Sequence, residues 1–276
     1  MTQFPTGRWL SALAPWLGVL ALNCSADPGS PPPGGGPSSA GSSNVAGASS
    51  SNFAGAASSA GGGVSVNPLG RAKCNAPPGA TGSPRTIEEA ITLLNALPKP
   101  TNVACFVESL DRPFTAYATN SVFSAQPALS TRSPRVFIKL NNLRISIVID
   151  GDSSYLLEFS YLLDDLHTIK GEVKTPIDQA LAPSAPYDRV HSGEGTTCGV
   201  CHYGEEQVLD ITFAAAFASI PFRPRPETYV SLDGLAAEAR ACDWVAEPHR
   251  CELLSALFDN GSVTEEAFPP AMPTFY

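Results

Sequence analysis

From Pro28 to Gly63 the chain is almost wholly Gly, Ser, Ala and Pro, broken only by Asn44, Val45, Asn52 and Phe53, and no charge occurs between Asp27 and Arg71. Such a stretch has no apolar pattern to bury, so nothing in it offsets the entropy of fixing its backbone. It predicts a disordered tether over residues 24–73, which confines the folded part of this 276-residue chain to Cys74 onward. About 200 residues remain, enough for one large core or two small ones. As a Gly/Ser-rich coil the tether would reach about 35–40 Å root-mean-square, enough to hold a domain clear of a membrane surface.

Ahead of the tether, residues 1–23 have the layout of a secretory signal peptide. Arg8 is the only charge, and Trp9 to Leu22 is an apolar run of 14 residues, short for a transmembrane helix. Leu20-Ala21-Leu22-Asn23-Cys24 resembles the lipobox of a bacterial lipoprotein, with Asn where Gly, Ala or Ser is usual before the cysteine. This resemblance implies lipidation of Cys24, and hence an exported protein tied to the cell envelope, on the outer membrane and facing periplasm or exterior. The competing site lies after Ala26, where Cys24 and Ala26 make a small-x-small pattern and the product would be soluble.

Export to an oxidising compartment makes cysteine pairing the next constraint. Beyond Cys24 the chain has Cys74, Cys105, Cys198, Cys201, Cys242 and Cys251. The simplest local solution joins Cys74 to Cys105 and Cys242 to Cys251, a preference among many pairings rather than a deduction. The first bridge would restrict the unfolded chain by about 3–4 kcal/mol.

Thr86 with Glu89 three residues on makes a capping box before Ala90, Ile91, Leu93, Leu94 and Leu97, and Pro98 stops the run, which predicts a short helix. From Asn102 the period changes to two. Val136, Ile138 and Leu140 alternate, then Leu143, Ile145, Ile147 and Ile149, then Tyr155, Leu157, Phe159 and Tyr161. With Val103 to Leu110, Phe114 to Thr119 and Thr168 to Val173 also read as strands, residues 74–195 are expected to form a β-rich domain with a leading helix. After it, Leu232 to Val245 behind Ser231, and Pro248 to Phe258 before Asn260-Gly261, predict helices and a helical module over 196–276. The fold class expected is α+β, an antiparallel sandwich or barrel-like domain followed by a small helical module.

Seventeen Lys and Arg stand against 26 Asp and Glu, a net charge of −9, and no basic run or basic aromatic face occurs, which argues against nucleic acid as a partner. Asp150-Gly151-Asp152 fits a turn between strands as well as a calcium loop. The chain has no Gly-x-Ser-x-Gly elbow, phosphate-binding loop or His-Glu-x-x-His motif, so no enzyme class is indicated.

Cys198-Gly199-Val200-Cys201-His202 carries the chemistry. Two thiols one turn apart can reach both vinyl groups of one porphyrin, with the adjacent imidazole under its iron. A structural disulfide and a zinc knuckle use the same Cys-x-x-Cys spacing and stay open on the motif alone.

With the helices around it, this motif resembles a small monohaem c-type cytochrome domain. The resemblance implies haem c bound through Cys198 and Cys201, with His202 as the proximal metal ligand and a Met beside Pro as the distal one. Met272, in Pro269-Pro270-Ala271-Met272-Pro273, matches that segment. As a bare residue it reads equally well as a hydrophobic plug at a docked C-terminus. His167, His191 and His249 are the other candidates for the sixth position. Phe213, Phe217, Phe222, Leu254, Leu257, Phe258 and Phe268 would wall a porphyrin or form an ordinary core. The expected function is one-electron transfer with a redox partner at the cell envelope. The rival is a secreted or lipid-anchored β-rich binding module whose Cys198 and Cys201 form a plain disulfide.

Overall fold

The computed structural model describes residues 66–275. The expected signal peptide, Cys24 and nearly all of the tether therefore lie outside the described residues. Helix α1 (Ile87–Ala96) begins as its capping box predicts. Thr86 Oγ1 accepts from Glu89 N at 3.2 Å, and the Glu89 carboxylate turns back to accept from Arg85 N at 2.7 Å. Its buried stripe is Ile87, Ala90, Ile91, Leu93 and Leu94.

The next segment departs from expectation. The sequence predicts a strand over Val103 to Leu110, but Val103–Glu108 is helix α2, capped by Asn102, whose side-chain oxygen accepts from Cys105 N at 2.8 Å. All six residues of α2 are buried, so no polar face exists to give a helical period, and the Asn cap overrides the β-propensity of Val103, Phe106 and Val107. Cys105 on this helix is joined to Cys74, and Cys242 is joined to Cys251, both as expected.

Five strands then follow the period-two pattern: β1 (Phe114–Thr119), β2 (Arg135–Leu140), β3 (Leu143–Val148), β4 (Leu156–Asp164) and β5 (His167–Lys174). Asn141 turns β2 into β3 with φ at 54°, a left-handed conformation that Asn tolerates. After helix α3 (Ala185–Val190) come the short strands β6 (His191–Ser192), β7 (Gly195–Thr196), β8 (Glu206–Gln207), β9 (Phe217–Ser219) and β10 (Tyr229–Val230). Helices α4 (Leu232–Arg240) and α5 (Pro248–Phe258) and strand β11 (Val263–Glu265) complete the chain.

The fold is α+β, as the sequence predicts. Its main sheet has nine strands in the order β10-β1-β2-β3-β4-β5-β9-β8, with β11 parallel to β1 and the remaining pairs antiparallel. The sheet is open and does not close into a barrel. One face presents Val136, Ile138, Leu143, Ile145, Leu157 and Phe159 to the helices, and these form a single cluster with Leu93, Phe106, Leu254 and Leu257. Burying each such side chain contributes about 1.5–3 kcal/mol.

The segment 196–276 does not have a core of its own. Its strands β8 to β11 join the main sheet, and its helices share the cluster built on α1 and α2. Helix α5 buries Arg250, Cys251, Glu252, Leu253, Leu254, Ala256 and Leu257, residues that occupy most of its circumference. A helix covered on nearly all sides needs neighbours on all sides, which two short helices cannot supply, so the expected boundary at 195/196 separates no two cores.

Candidate functional site

The opposite face of the sheet is polar, and the strand period puts it there. Arg135 and Phe137 of β2, Arg144 and Ser146 of β3, Glu158 and Ser160 of β4, and Lys170 and Glu172 of β5 alternate with the core residues. They floor a cavity of about 880 Å³, within the range usual for ligand and cofactor sites. Its walls are the Cys198–His202 turn, the Pro221–Pro224 segment and the C-terminal segment containing Phe268, Met272 and Phe275.

The motif turn is held at both ends. The β6–β7 ribbon delivers Thr196, whose Oγ1 accepts from Cys198 N at 3.1 Å and starts a 3₁₀ turn over Thr197–Val200. Cys201 N and His202 N both donate to Cys198 O, at 3.1 and 2.8 Å. At three residues per turn the side chains of Cys198 and Cys201 eclipse, so both thiols leave the turn on the same side. Glu205 fastens the base of the turn, accepting from Thr196 N at 2.8 Å and from Thr196 Oγ1. Its carboxylate occupies the space that a Cβ on Gly195 or Gly199 would enter. A side chain at Gly199 would have to displace the carboxylate that fastens Thr196.

His202 is oriented by the backbone. Its Nδ1 lies 2.8 Å from Ile220 O. A carbonyl can only accept, so Nδ1 carries the proton and Nε2 keeps its lone pair. Burial, reinforced by the Lys170 and Arg135 cations, pushes the imidazole pKa down to about 3, so the ring is neutral. Phe222 packs beside it with ring centroids 5.6 Å apart. Burial raises the Cys198 thiol to about 11, with Glu158 adding to the shift, and burial lowers the Lys170 ammonium to about 8.

The C-terminal segment is stitched to the wall beside His202. Arg223 N donates to Pro273 O at 3.0 Å, Phe275 N donates to Arg223 O at 2.9 Å, and Arg223 Nε donates to Met272 O at 3.0 Å. This places the buried Met272 on the same cavity as Cys198, Cys201 and His202, 70 positions away from that histidine in sequence. The other three histidines do not line the cavity. His191 stacks on Phe217, His167 bonds Asp164, and His249 stacks on Tyr155 with Nε2 2.8 Å from Ser154 Oγ. Asp150-Gly151-Asp152 is a turn leading to β4.

Of the residues expected to wall a porphyrin, Phe222 and Phe268 line this cavity. Leu254 and Leu257 lie in the core on the opposite side of the sheet, and Phe213 packs on Tyr187. The sheet supplies the floor instead, with Tyr117, Phe137, Arg144 and Lys170, none of which the motif pointed to. Their signal in the sequence was polar side chains recurring every second residue in otherwise apolar strands.

Among the described residues Cys198 and Cys201 are not joined by a disulfide, and no three His, Cys, Asp or Glu side chains come together as a metal-ion site. A zinc knuckle needs four such donors and ionised thiols, so the zinc reading of the motif lacks its ligand set. A porphyrin asks for less from the chain, two thiols and an imidazole on one roomy cavity, and these residues fit that requirement. No helix among the described residues is long and apolar enough to cross a membrane. Comparison with known protein families, curated proteins and solved structures finds no match.

Proposed function

We propose that this chain is an exported haem c-binding protein that carries single electrons at the cell envelope, tied there by a lipid on Cys24. The observation that carries the reading is the shared cavity wall. Two thiols, a neutral imidazole with its Nδ1–H committed to Ile220, and the Met272 thioether all line one space, while the other four described cysteines are bridged. Each thiol would add its S–H across a vinyl C=C, sulfur to one carbon and hydrogen to the other, so the attachment consumes no oxidant. The high pKa of Cys198 suits a thiol that is to be consumed this way better than a thiolate nucleophile.

His202 Nε2 would ligate the iron, with its basicity supported by the Nδ1–H to Ile220 O hydrogen bond. Met272, held by Arg223 through its carbonyl, would supply a second ligand. Bound there, haem supplies reversible one-electron chemistry at its iron. The residues Phe222, Phe268 and Phe275 would exclude water from that iron.

The test is expression of the full chain in a host with cytochrome c maturation. Expected are a pigment that survives denaturation, its loss on Cys198→Ala with Cys201→Ala, and altered iron ligation in His202→Ala. Colourless wild-type protein, with Cys198 joined to Cys201 in a non-reducing peptide map, would replace this reading with the disulfide-bonded binding module. Membrane partitioning of the wild type and release of Cys24→Ser would support the lipid anchor.

A further inference from the structure

We propose that Arg144 is the carboxylate receptor of the cavity and binds the acidic edge of the porphyrin, on the side of the floor away from Cys198 and Cys201; this rests on the haem reading above. Arg144 is only 7% exposed, and it lines the cavity from β3. Its guanidinium is locked in place. Nε donates to Tyr117 Oη at 3.1 Å, and Nη1 donates to Leu143 O at 3.2 Å and to Asn141 O.

What Arg144 lacks is an anion. The neighbouring cations of this face are matched: Arg135 to Glu158, Arg189 to Glu172 at 2.5 Å, and Lys139 to Glu266 at 2.6 Å. Among the described residues no carboxylate lies within ion-pairing distance of Arg144. A buried guanidinium cannot shed its proton to escape the cost, so a site built around one expects the ligand to bring the negative charge. Lys170, the other floor cation without a carboxylate partner, can escape that cost. Its Nζ donates to Ser160 Oγ at 3.1 Å, and its pKa of about 8 brings neutralisation within reach.

The placement agrees with the shape of the ligand. Cross-strand register sets Arg144, Ser160 and Lys170 in one row over β3, β4 and β5. The Cys198 thiol feels Lys170, Glu158 and Glu172, which puts the attachment end over β4 and β5. Arg144 stands two strands from Lys170, about 10 Å. A protoporphyrin carries its vinyl groups and its two carboxylates towards opposite edges, so fixing the first at the motif points the second towards β3. Tyr117, stacked on Phe137 at 5.4 Å and packed on Phe268 at 4.3 Å, offers a flat apolar surface at that end.

The experiment uses the full chain made without haem maturation, titrated with protoporphyrin IX and with its dimethyl ester and followed by porphyrin fluorescence. The wild type should bind the diacid at least about tenfold tighter than the diester, since a charge-assisted hydrogen bond is lost on esterification. Arg144→Gln should bring the diacid to the affinity of the diester, and Arg144→Lys should restore part of the preference. Equal wild-type affinity for the two porphyrins overturns the assignment and needs no variant to fold. A preference that survives Arg144→Gln also overturns it. Covalent pigment in matured protein together with equal affinities would keep the haem reading and remove Arg144 from it. Absence of both pigment and porphyrin binding would remove both.

Discussion

Glu205 holds Thr196 by two hydrogen bonds, one to its backbone N–H at 2.8 Å and one to its hydroxyl, and Thr196 in turn caps the turn that carries Cys198 and Cys201. The carboxylate fills the space beside Gly195 and Gly199, so the motif glycine and an acid outside the motif are one packing unit. Orientation of the two thiols is thereby delegated to a residue three positions beyond His202.

Glu205→Ala should therefore loosen the turn without touching a ligand. A loss of about 1–3 kcal/mol in global stability is expected from leaving the buried Thr196 unsatisfied, measured by urea unfolding. Covalent pigment per mole of protein should fall with it, and Glu205→Gln should recover much of both. Pigment yield and stability unchanged in Glu205→Ala would mean that the turn is held by its 3₁₀ hydrogen bonds alone.

Arg223 is expected to fasten the C-terminal segment through Met272 O and Pro273 O. Arg223→Ala removes the side-chain bond and leaves the backbone pairing, so it should speed protease clipping near Phe275, read by intact mass. With Met272 as an iron ligand, as proposed, the same variant should shift the spectrum of the matured protein towards that of Met272→Ala. An unchanged spectrum in both would leave Met272 as a hydrophobic plug.

Much of this fold is legible in the sequence where the chain has two unlike sides. Thr86 and Glu89 announce α1, and the alternation of Val136, Ile138 and Leu140 with Arg135, Phe137 and Lys139 announces β2. The signal fails where every side is buried. Helix α2 shows no period because all six of its residues face the core, and α5 looks like half of a two-helix module although its surroundings come from α1, α2 and the sheet. The site was half legible. Cys198, Cys201 and His202 are contiguous and declare themselves, whereas Arg144 and Lys170 read as an ordinary solvent face. The pairing of β5 with β9, which brings Thr168 to Ser219, helps carry the Pro221–Pro224 wall over that face, and no local pattern encodes a contact between segments so far apart.

Arg112 closes the C-terminal ends of two helices at once. It donates to Val107 O of α2 at 3.3 Å and Ala256 O of α5 at 2.8 Å, as well as to Leu110 O at 2.8 Å, and its guanidinium carbon lies 3.9 Å from the centre of the Phe114 ring. Burial holds its pKa down to about 10, which still leaves it charged at neutral pH and suited to carbonyls at helix C-termini. Arg112→Ala should cost about 2–4 kcal/mol in urea unfolding by stranding those carbonyls. Because Arg112 sits on the helix side of the sheet, porphyrin affinity of the folded fraction should not change.

His249 adds to the acid sensitivity that the buried His202 gives the fold. Its Nε2 meets Ser154 Oγ at 2.8 Å and its ring stacks on Tyr155 at 4.8 Å. Burial lowers its pKa below the ordinary value of 6.5, with Glu252 and Asp150 opposing the shift. The folded state therefore binds fewer protons than the unfolded state once the pH falls below that ordinary value, and stability declines there with a slope of at most about 1.4 kcal/mol per pH unit. Above it the ring is neutral in both states and contributes no slope. His249→Gln, which keeps a hydrogen-bonding partner for Ser154 but cannot titrate, should make the decline below neutral pH shallower, the remaining slope being that of His202. Unfolding free energies measured across that interval in both proteins check this, and parallel curves would show that the histidine is not the group being protonated.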